Sequence, residues 1–238
     1  MRIALIGYGK MGQAIESIAI AKGHEIVLKI DINNAADLNK ENIAQADVAI
    51  EFTGPHSAFA NVMKCLELGI PVVCGSTGWL DNWEEAKKYC EEQNGTLLYA
   101  SNYSIGVNLF FELNTFLAKL MLKQTDYNVT MEEIHHTQKK DAPSGTAITL
   151  AEQVLQNIPG KKQWVNHLSN NPGELEIISQ RVDPAPGTHK IKYSSSVDDI
   201  EIIHTAHNRV GFAGGALLAA EFVISKKGIF GMKEVLGL

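Results

Sequence analysis

Only three cysteines occur among the 238 residues, Cys65, Cys74 and Cys90, an odd number with no C-x-x-C spacing. Neither a disulfide framework nor a cysteine zinc site is indicated, and a reducing compartment is the simpler setting. Long apolar runs are also missing. The longest, Phe212 to Ala220, falls far short of the roughly 20 residues that cross a bilayer, and Met1 leads into a glycine turn rather than a cleavable apolar segment. Basic side chains are in the minority: 21 Lys and Arg against 27 Asp and Glu give 21 − 27 = −6, with no basic run. A sequence-tolerant nucleic-acid binder would need a concentrated basic face. A cytoplasmic protein without membrane or nucleic-acid partners is therefore expected. What the chain does have is 45% hydrophobic residues and a length that suits one large domain or two small ones, at roughly 150 residues each.

Over the first hundred residues, short β-branched runs alternate with longer amphipathic ones: Arg2 to Ile6, Met11 to Ala21, Glu25 to Ile30, Val48 to Phe52, Ser57 to Leu68, Val72 to Cys74, Trp83 to Gln93 and Leu97 to Tyr99. This is the alternation of a parallel sheet covered by helices, and the nearly continuous apolar character of the strands fits burial on both faces. From Leu109 the apolar spacing changes to that of a helix face, through Phe110, Leu113, Phe116, Leu117, Leu120 and Met121. Val129, Met131, Glu133 and His135 then alternate with Thr130, Glu132, Ile134 and His136, as in a strand. A helix capped by Ser144 follows, with Ala147, Ile148, Ala151, Val154 and Leu155 on one face. Three more strands are expected, Leu175 to Val182, Lys190 to Ser195 and Ile200 to Thr205, and then a helix from Ala213 to Lys226, with Lys226-Lys227 capping its C-terminal end. Without long helices between them, those strands fit a mixed or antiparallel sheet. The fold class is α/β: a Rossmann-like parallel sheet followed by an α+β domain, with the break near Asn102 to Ile105.

Gly7-Tyr8-Gly9-Lys10-Met11-Gly12 matches G-x-G-x-x-G between a strand and a helix. The glycines permit a tight turn, close approach of a pyrophosphate to the backbone, and close packing of helix on strand. Amides at the helix start then face the phosphate charge. Asp31 closes the second strand 24 residues after Gly7, where a carboxylate accepts from ribose hydroxyls. It is followed by Ile32 rather than an arginine that could hold a 2′-phosphate, so NADH is acceptable. Lys10 leaves NADPH open. Two further strand ends, Phe52-Thr53-Gly54-Pro55 and Gly75-Ser76-Thr77-Gly78, carry turn residues suited to the ligand side of an open sheet.

The densest reactive stretch runs from Glu133 to Ala147. Adjacent histidines on a strand point to opposite faces and make poor joint metal ligands, so no metal is expected, whereas 135, 137 and 139 share a face if the strand continues. That would bring His135 near Lys139. An anion between them would favour the imidazolium as a proton donor. Pro143-Ser144-Gly145-Thr146 opens a helix with amides suited to a carboxylate. The remaining histidines, His24, His56, His167, His189, His204 and His207, show no comparable grouping and default to structural or surface roles.

These residues resemble the dihydrodipicolinate (4-hydroxy-tetrahydrodipicolinate) reductase family. The resemblance rests on the Gly7 to Gly12 loop, Phe52-Thr53, Gly75-Ser76-Thr77, Ser101-Asn102-Tyr103-Ser104, the Arg209 to Ala216 segment and, most specifically, the H-H-x-x-K-x-D-A-P-S-G-T-A block from His135 to Ala147. It implies a dinucleotide domain formed by residues 1–103 and 213–238, with the last helix returning to it, and a substrate and oligomerisation domain of residues 104–212. It further implies His135 as the proton donor and Lys139 as the second catalytic group, with His136, Gly145 and Thr146 on the substrate carboxylates. Cofactor contacts would come from Gly7, Tyr8, Gly9, Lys10, Met11, Gly12, Asp31, Phe52, Thr53, Gly75, Ser76, Thr77, Ala100, Ser101, Asn102 and Tyr103. The implied activity is NADH- or NADPH-dependent reduction of a dicarboxylate heterocycle by a homotetramer, with closure about Asn102 to Ile105 bringing acid and cofactor together. The rivals are another two-domain NAD(P)-dependent dehydrogenase, acting on sugars or aspartate derivatives, and a non-catalytic dinucleotide sensor.

Overall fold

A computed structural model of the chain describes residues 1–208 and 210–238; Arg209, part of the segment that carries the family resemblance, lies outside the described residues. The chain forms two compact units, Met1–Ile105 with Val210–Leu238, and Gly106–Arg209.

In the first unit, β1 (Arg2–Ile6), α1 (Lys10–Ala21), β2 (Glu25–Ile30), α2 (Lys40–Ile43), β3 (Val48–Glu51), α3 (Ala58–Glu67), β4 (Val72–Cys74), α4 (Trp83–Glu92) and β5 (Thr96–Tyr99) follow one another. The sheet has six strands in the order β11-β5-β4-β3-β1-β2, where β11 is Gly228–Phe230 from the end of the chain. Every pairing in it is parallel. Successive strand residues serve opposite layers. Ala4, Ile6, Ala49 and Cys74 pack under the α3–α4 side with Val62, Cys65 and Ala86, while Ile3, Leu5, Ile50 and Val73 pack under α1 and α7 (Val210–Val223) with Ile15, Ala19, Ala216 and Ala220. Covered on both faces, the strands have no polar phase, which is why they read as continuous apolar runs.

The α7 helix lies directly on the chain after β5. A Cβ on Gly215 would stand 1.7 Å from the Tyr103 carbonyl oxygen, so only glycine permits this approach. The helix expected over Ala213 to Lys226 begins at Val210 and ends at Val223, ahead of Lys226-Lys227. Lys226 does not cap it through its side chain; its ammonium lies over the Phe222 ring, 4.6 Å from the centroid. The short β11 and α8 (Met232–Leu236) were not expected, because segments of three to five residues carry no readable period.

The second unit contains α5 (Ile105–Met121), β6 (Asn128–His135), α6 (Gly145–Asn157), β7 (Gln163–Val165), β8 (Glu174–Arg181), β9 (Gly187–Ser194) and β10 (Asp199–Ala206). Its five strands run in the order β10-β9-β6-β8-β7. The β9 strand is antiparallel to β6 and β10, while β8 is parallel to β6 and β7. The sheet is mixed, as expected, with the unpredicted β7 on its edge. One face packs on α5 and α6 through Val129, Met131, Leu175, Ile177, Ile191 and Tyr193 against Phe110, Leu150, Ala151 and Val154. One covered face gives alternating burial along β6. A Leu150→Ala change in this core would cost about 2–5 kcal/mol. No helix among the described residues is long and apolar enough to cross a membrane.

Candidate active site

Alternation along β6 places Glu133 and His135 on the same inward phase as Val129 and Met131, so two polar side chains occupy core positions at the strand's end. Glu133 is fully buried. Its Oε1 accepts from the Ser144 amide at 3.0 Å, the Ser179 hydroxyl at 2.7 Å and the Arg181 guanidinium at 3.0 Å. Its Oε2 lies 3.1 Å from His135 Nδ1 and 3.9 Å from His189 Nε2, and neither Oε2 nor Nδ1 has another hydrogen-bond partner. Burial alone would raise the Glu133 carboxyl; the His135 imidazole and the Ser144, Ser179 and Arg181 donors more than offset it and hold the group below the usual carboxylate range.

Strand register explains the cluster. Glu133 stands opposite His189 on β9, and His135 opposite Arg181 on β8. The two imidazoles meet edge to face with centroids 5.1 Å apart. His189 Nε2 is 3.1 Å from the Ser144 hydroxyl, which caps α6 by accepting from the Ala147 amide. Burial first, and the neighbouring His135 second, push the His189 pKa down to about 4. His189 is thus neutral at pH 7. The expectation that His189 stands apart from any grouping does not hold: the pairing of β9 with β6, which sequence spacing does not supply, brings it to the cluster. Ser179 and Arg181 reach the cluster through the pairing of β8 with β6, which the sequence does not supply either, whereas Glu133 on an apolar phase is a usable signal.

β6 ends at His135, so 135, 137 and 139 do not share a strand face. The chain turns instead: the Lys139 amide donates to the His136 carbonyl, and Asp183 accepts from the Thr137 amide and hydroxyl. Arg181 straps the turned segment to the cluster by donating to the carbonyls of Lys139 and Asp141 while pairing with Glu133. Lys139 pairs with both Asp141 oxygens at 2.9 Å and is close enough for its charge to disfavour protonation of His189. His136 is half-buried beyond the strand end. Gly145 and Thr146 form the first turn of α6, and a Cβ on Gly145 would meet no atom within 4 Å, so open space faces its backbone. Glu133, His135 and His189 offer ligand atoms within 4.8 Å of one another. The Arg181 guanidinium already supplies a positive charge to that carboxylate.

The first unit has a cradle of a different kind. Gly7 has φ of +98°, and a Cβ there would stand 2.2 Å from the Phe52 carbonyl oxygen; a Cβ on Gly12 would stand 2.3 Å from the Gly7 carbonyl oxygen. At Gly9, the N-cap of α1, nothing lies within 4 Å of a Cβ. Two glycines close the turn and the third opens it outward, with Lys10 and Met11 beginning the helix. This fits a pyrophosphate on backbone amides. Tyr8 turns its hydroxyl to Glu16, which also pairs with Lys29. Asp31 follows β2 and accepts from the Asn33 amide at 2.6 Å; the adjacent Ile32 is 94% exposed.

The turn after β3 is held by buried Glu51, also missed, which accepts from the amide and hydroxyl of Thr53. Gly75 gives Phe52 its place, since a Cβ would overlap the ring at 2.2 Å. Ser76 is buried with no hydrogen-bond partner for its hydroxyl, and Thr77 is exposed. Ala100 donates to the Cys74 carbonyl, Ser101 is exposed, and Asn102 accepts from the Ser104 amide. The Tyr103 hydroxyl is committed to the Cys74 carbonyl at 2.7 Å, and the residue is buried. Phe52, Thr53 and the 75–77 and 100–103 segments all follow the carboxyl ends of β3, β4 and β5, on the ligand side of such a sheet.

The family model described as dihydrodipicolinate reductase, N-terminus, matches residues 1–103, and that for the C-terminus matches residues 106–236. A 4-hydroxy-tetrahydrodipicolinate reductase of Christiangramia forsetii is 50% identical over 238 residues, covering 99% of this chain and 98% of the relative. A dipicolinate-bound dihydrodipicolinate reductase structure from a Paenisporosarcina species aligns with a TM-score of 0.81 at 25% identity, covering 98% of each chain. The apo scyllo-inositol dehydrogenase of Lactobacillus casei, at a TM-score of 0.56 and 12% identity over 94% of this chain and 87% of its own, shares the fold alone.

Proposed function

The chain belongs to the dihydrodipicolinate reductase family, and we propose that its second unit grips a dicarboxylate heterocycle and protonates it through His135 while its first unit holds the hydride donor. It is an NAD(P)H-dependent oxidoreductase that reduces 4-hydroxy-tetrahydrodipicolinate to tetrahydrodipicolinate in lysine and diaminopimelate biosynthesis. NADH or NADPH supplies a hydride when bound.

The observation that carries the assignment of roles is His135 at the end of β6, linked through Glu133 to the Ser144 cap of α6. The backbone of Gly7, Gly9 and Gly12 holds the pyrophosphate and Asp31 the ribose, with Phe52, Thr53 and the 75–77 and 100–103 turns around the remainder. Lys139 exchanges its Asp141 partner for a substrate carboxylate. His136 and the Gly145-Thr146 turn bind the carboxylates and orient the ring, an effect of positioning and electrostatics. His135 delivers the balancing proton, a role worth roughly 10²- to 10⁴-fold in rate.

A homotetramer in the cytoplasm completes the proposal. It is supported by three reduced, buried cysteines and by exposed Leu109, Leu113, Phe116 and Leu120 along α5. A sedimentation mass equal to the 26.0 kDa monomer would contradict the assembly. The reaction is tested by loss of NADH or NADPH absorbance with freshly prepared cyclic substrate, beside inositol and aspartate semialdehyde controls. Oxidation with the cyclic dicarboxylate alone is expected; oxidation with a control instead, or binding without turnover, would overturn the reading.

A further inference from the structure

We propose that Glu133 is the positioning residue that holds the His135 ring with its proton on Nδ1, leaving Nε2 to face the substrate. This rests on the reading of His135 as proton donor. It draws on a feature that reading does not need: a fully buried carboxylate whose two oxygens have separate tasks.

Oε1 takes three donors, from Ser144, Ser179 and Arg181, which come from α6 and β8. Those contacts fix the carboxylate against rotation. Oε2 has no hydrogen-bond partner of its own, and His135 Nδ1, itself buried and unpartnered, lies 3.1 Å from it. Two orphaned buried atoms that face each other, one an ionised oxygen and one a ring nitrogen, are satisfied together by a single proton on the nitrogen. His189 does not compete for this place. Its Nε2 stands farther off, at 3.9 Å, and is engaged with the Ser144 hydroxyl at 3.1 Å. The opposite edge of His135 is kept clear by a glycine: a Cβ on Gly187 would stand 3.0 Å from Nε2.

The consequence for the reaction is a division of the imidazole. As imidazolium, His135 carries protons on both nitrogens, with Nδ1–H toward Glu133 Oε2. On transfer, the Nε2–H bond breaks, the proton passes to the substrate, and the neutral ring keeps Nδ1–H against Oε2. The ring therefore needs no reorientation before it is protonated again. A purely structural Glu133, tying β6 to β8 and α6, would leave the position of the ring proton indifferent to its charge.

The test is nitrogen-15 NMR of histidine-labelled full-length protein, with the His135 signals identified by their loss in His135→Gln. The wild type is expected to show His135 protonated at Nδ1 and bare at Nε2 in its neutral form. Glu133→Gln is expected to shift it toward the Nε2–H tautomer. Kinetically, Glu133→Gln should lower kcat about 10- to 100-fold, part of the roughly 10²- to 10⁴-fold available to a positioned proton donor, with KM changed less than about threefold. A wild-type His135 protonated at Nε2 overturns the proposal, and so does a folded Glu133→Gln variant with wild-type kcat. Should that variant fail to fold, the wild-type spectrum decides alone. The premise fails separately: undiminished turnover in His135→Gln would remove His135 as proton donor without altering the tautomer result.

Discussion

The two units build their sites from different material. In the first, the cradle is backbone: a Cβ on Gly7 or Gly12 would stand 2.2 or 2.3 Å from a carbonyl oxygen, and Gly9 opens outward. In the second, the site is a knot of buried side chains, Glu133, His135 and His189 with Arg181, drawn from three strands. The backbone site tolerates almost any side chain nearby but no added Cβ at Gly7 or Gly12. A side-chain site tolerates backbone variation but is sensitive to protonation. The difference matches the tasks: an anion that is bound unchanged in charge needs fixed amides, whereas proton transfer needs a titratable group with its charge under control.

The comparison is sharpest within the cradle itself. Gly12→Ala forces a Cβ against the Gly7 carbonyl and is expected to destabilise the protein by about 1–3 kcal/mol, as overpacking does, and to abolish measurable NADH binding. Gly9→Ala meets nothing, so its stability should stay within about 0.5 kcal/mol of wild type while the NADH Kd rises about tenfold, or about 1.4 kcal/mol. Denaturant melts and fluorescence titration read both. Equal destabilisation by the two would contradict the assignment of Gly9 to the ligand side.

The side-chain site should show itself through pH. Burial depresses the pKa of His189 to about 4, from an ordinary histidine value of about 6.5. The unfolded chain therefore binds a proton that the folded one refuses, and the stability from keeping His189 neutral is present above about 6.5 and lost as pH falls toward 4. Between pH 7 and 5 this loss amounts to about 2 kcal/mol. In His189→Gln that part of the slope should vanish, measured as the change in unfolding free energy between those two pH values. An unchanged slope would show that His189 is not held neutral by burial. The smallest effect concerns the cofactor's ribose. Ile32 is 94% exposed, so Ile32→Arg should leave the fold intact and raise the ratio of kcat/KM for NADPH over NADH by several fold, about 1 kcal/mol of added ion pairing. No change in the ratio would place the ribose elsewhere.

The same contrast governs what could be read in the amino-acid order. Glycine spacing is local, so the loop from Gly7 to Gly12 and the alternation of β1 to β5 were legible, as was the Ser144 cap. The cluster in the second unit is not local: Arg181 lies 48 positions from Glu133, and the antiparallel register of β6 with β9 is what brings His189 opposite it. The expected continuation of β6 to Lys139 failed because the bonds of Thr137 to Asp183 turn the chain at a point where alternation alone shows no stop. A carboxylate and an imidazole on the apolar phase of a strand were visible from the start; their partners required the sheet order.

The most direct measurement is steady-state reduction of 4-hydroxy-tetrahydrodipicolinate by wild type and His135→Gln, with NADH affinity measured in parallel. The account predicts a kcat lower by about 10²- to 10⁴-fold, KM nearly unchanged, and NADH binding intact, because the cofactor's cradle lies in the other unit. A variant that turns over at the wild-type rate would contradict it.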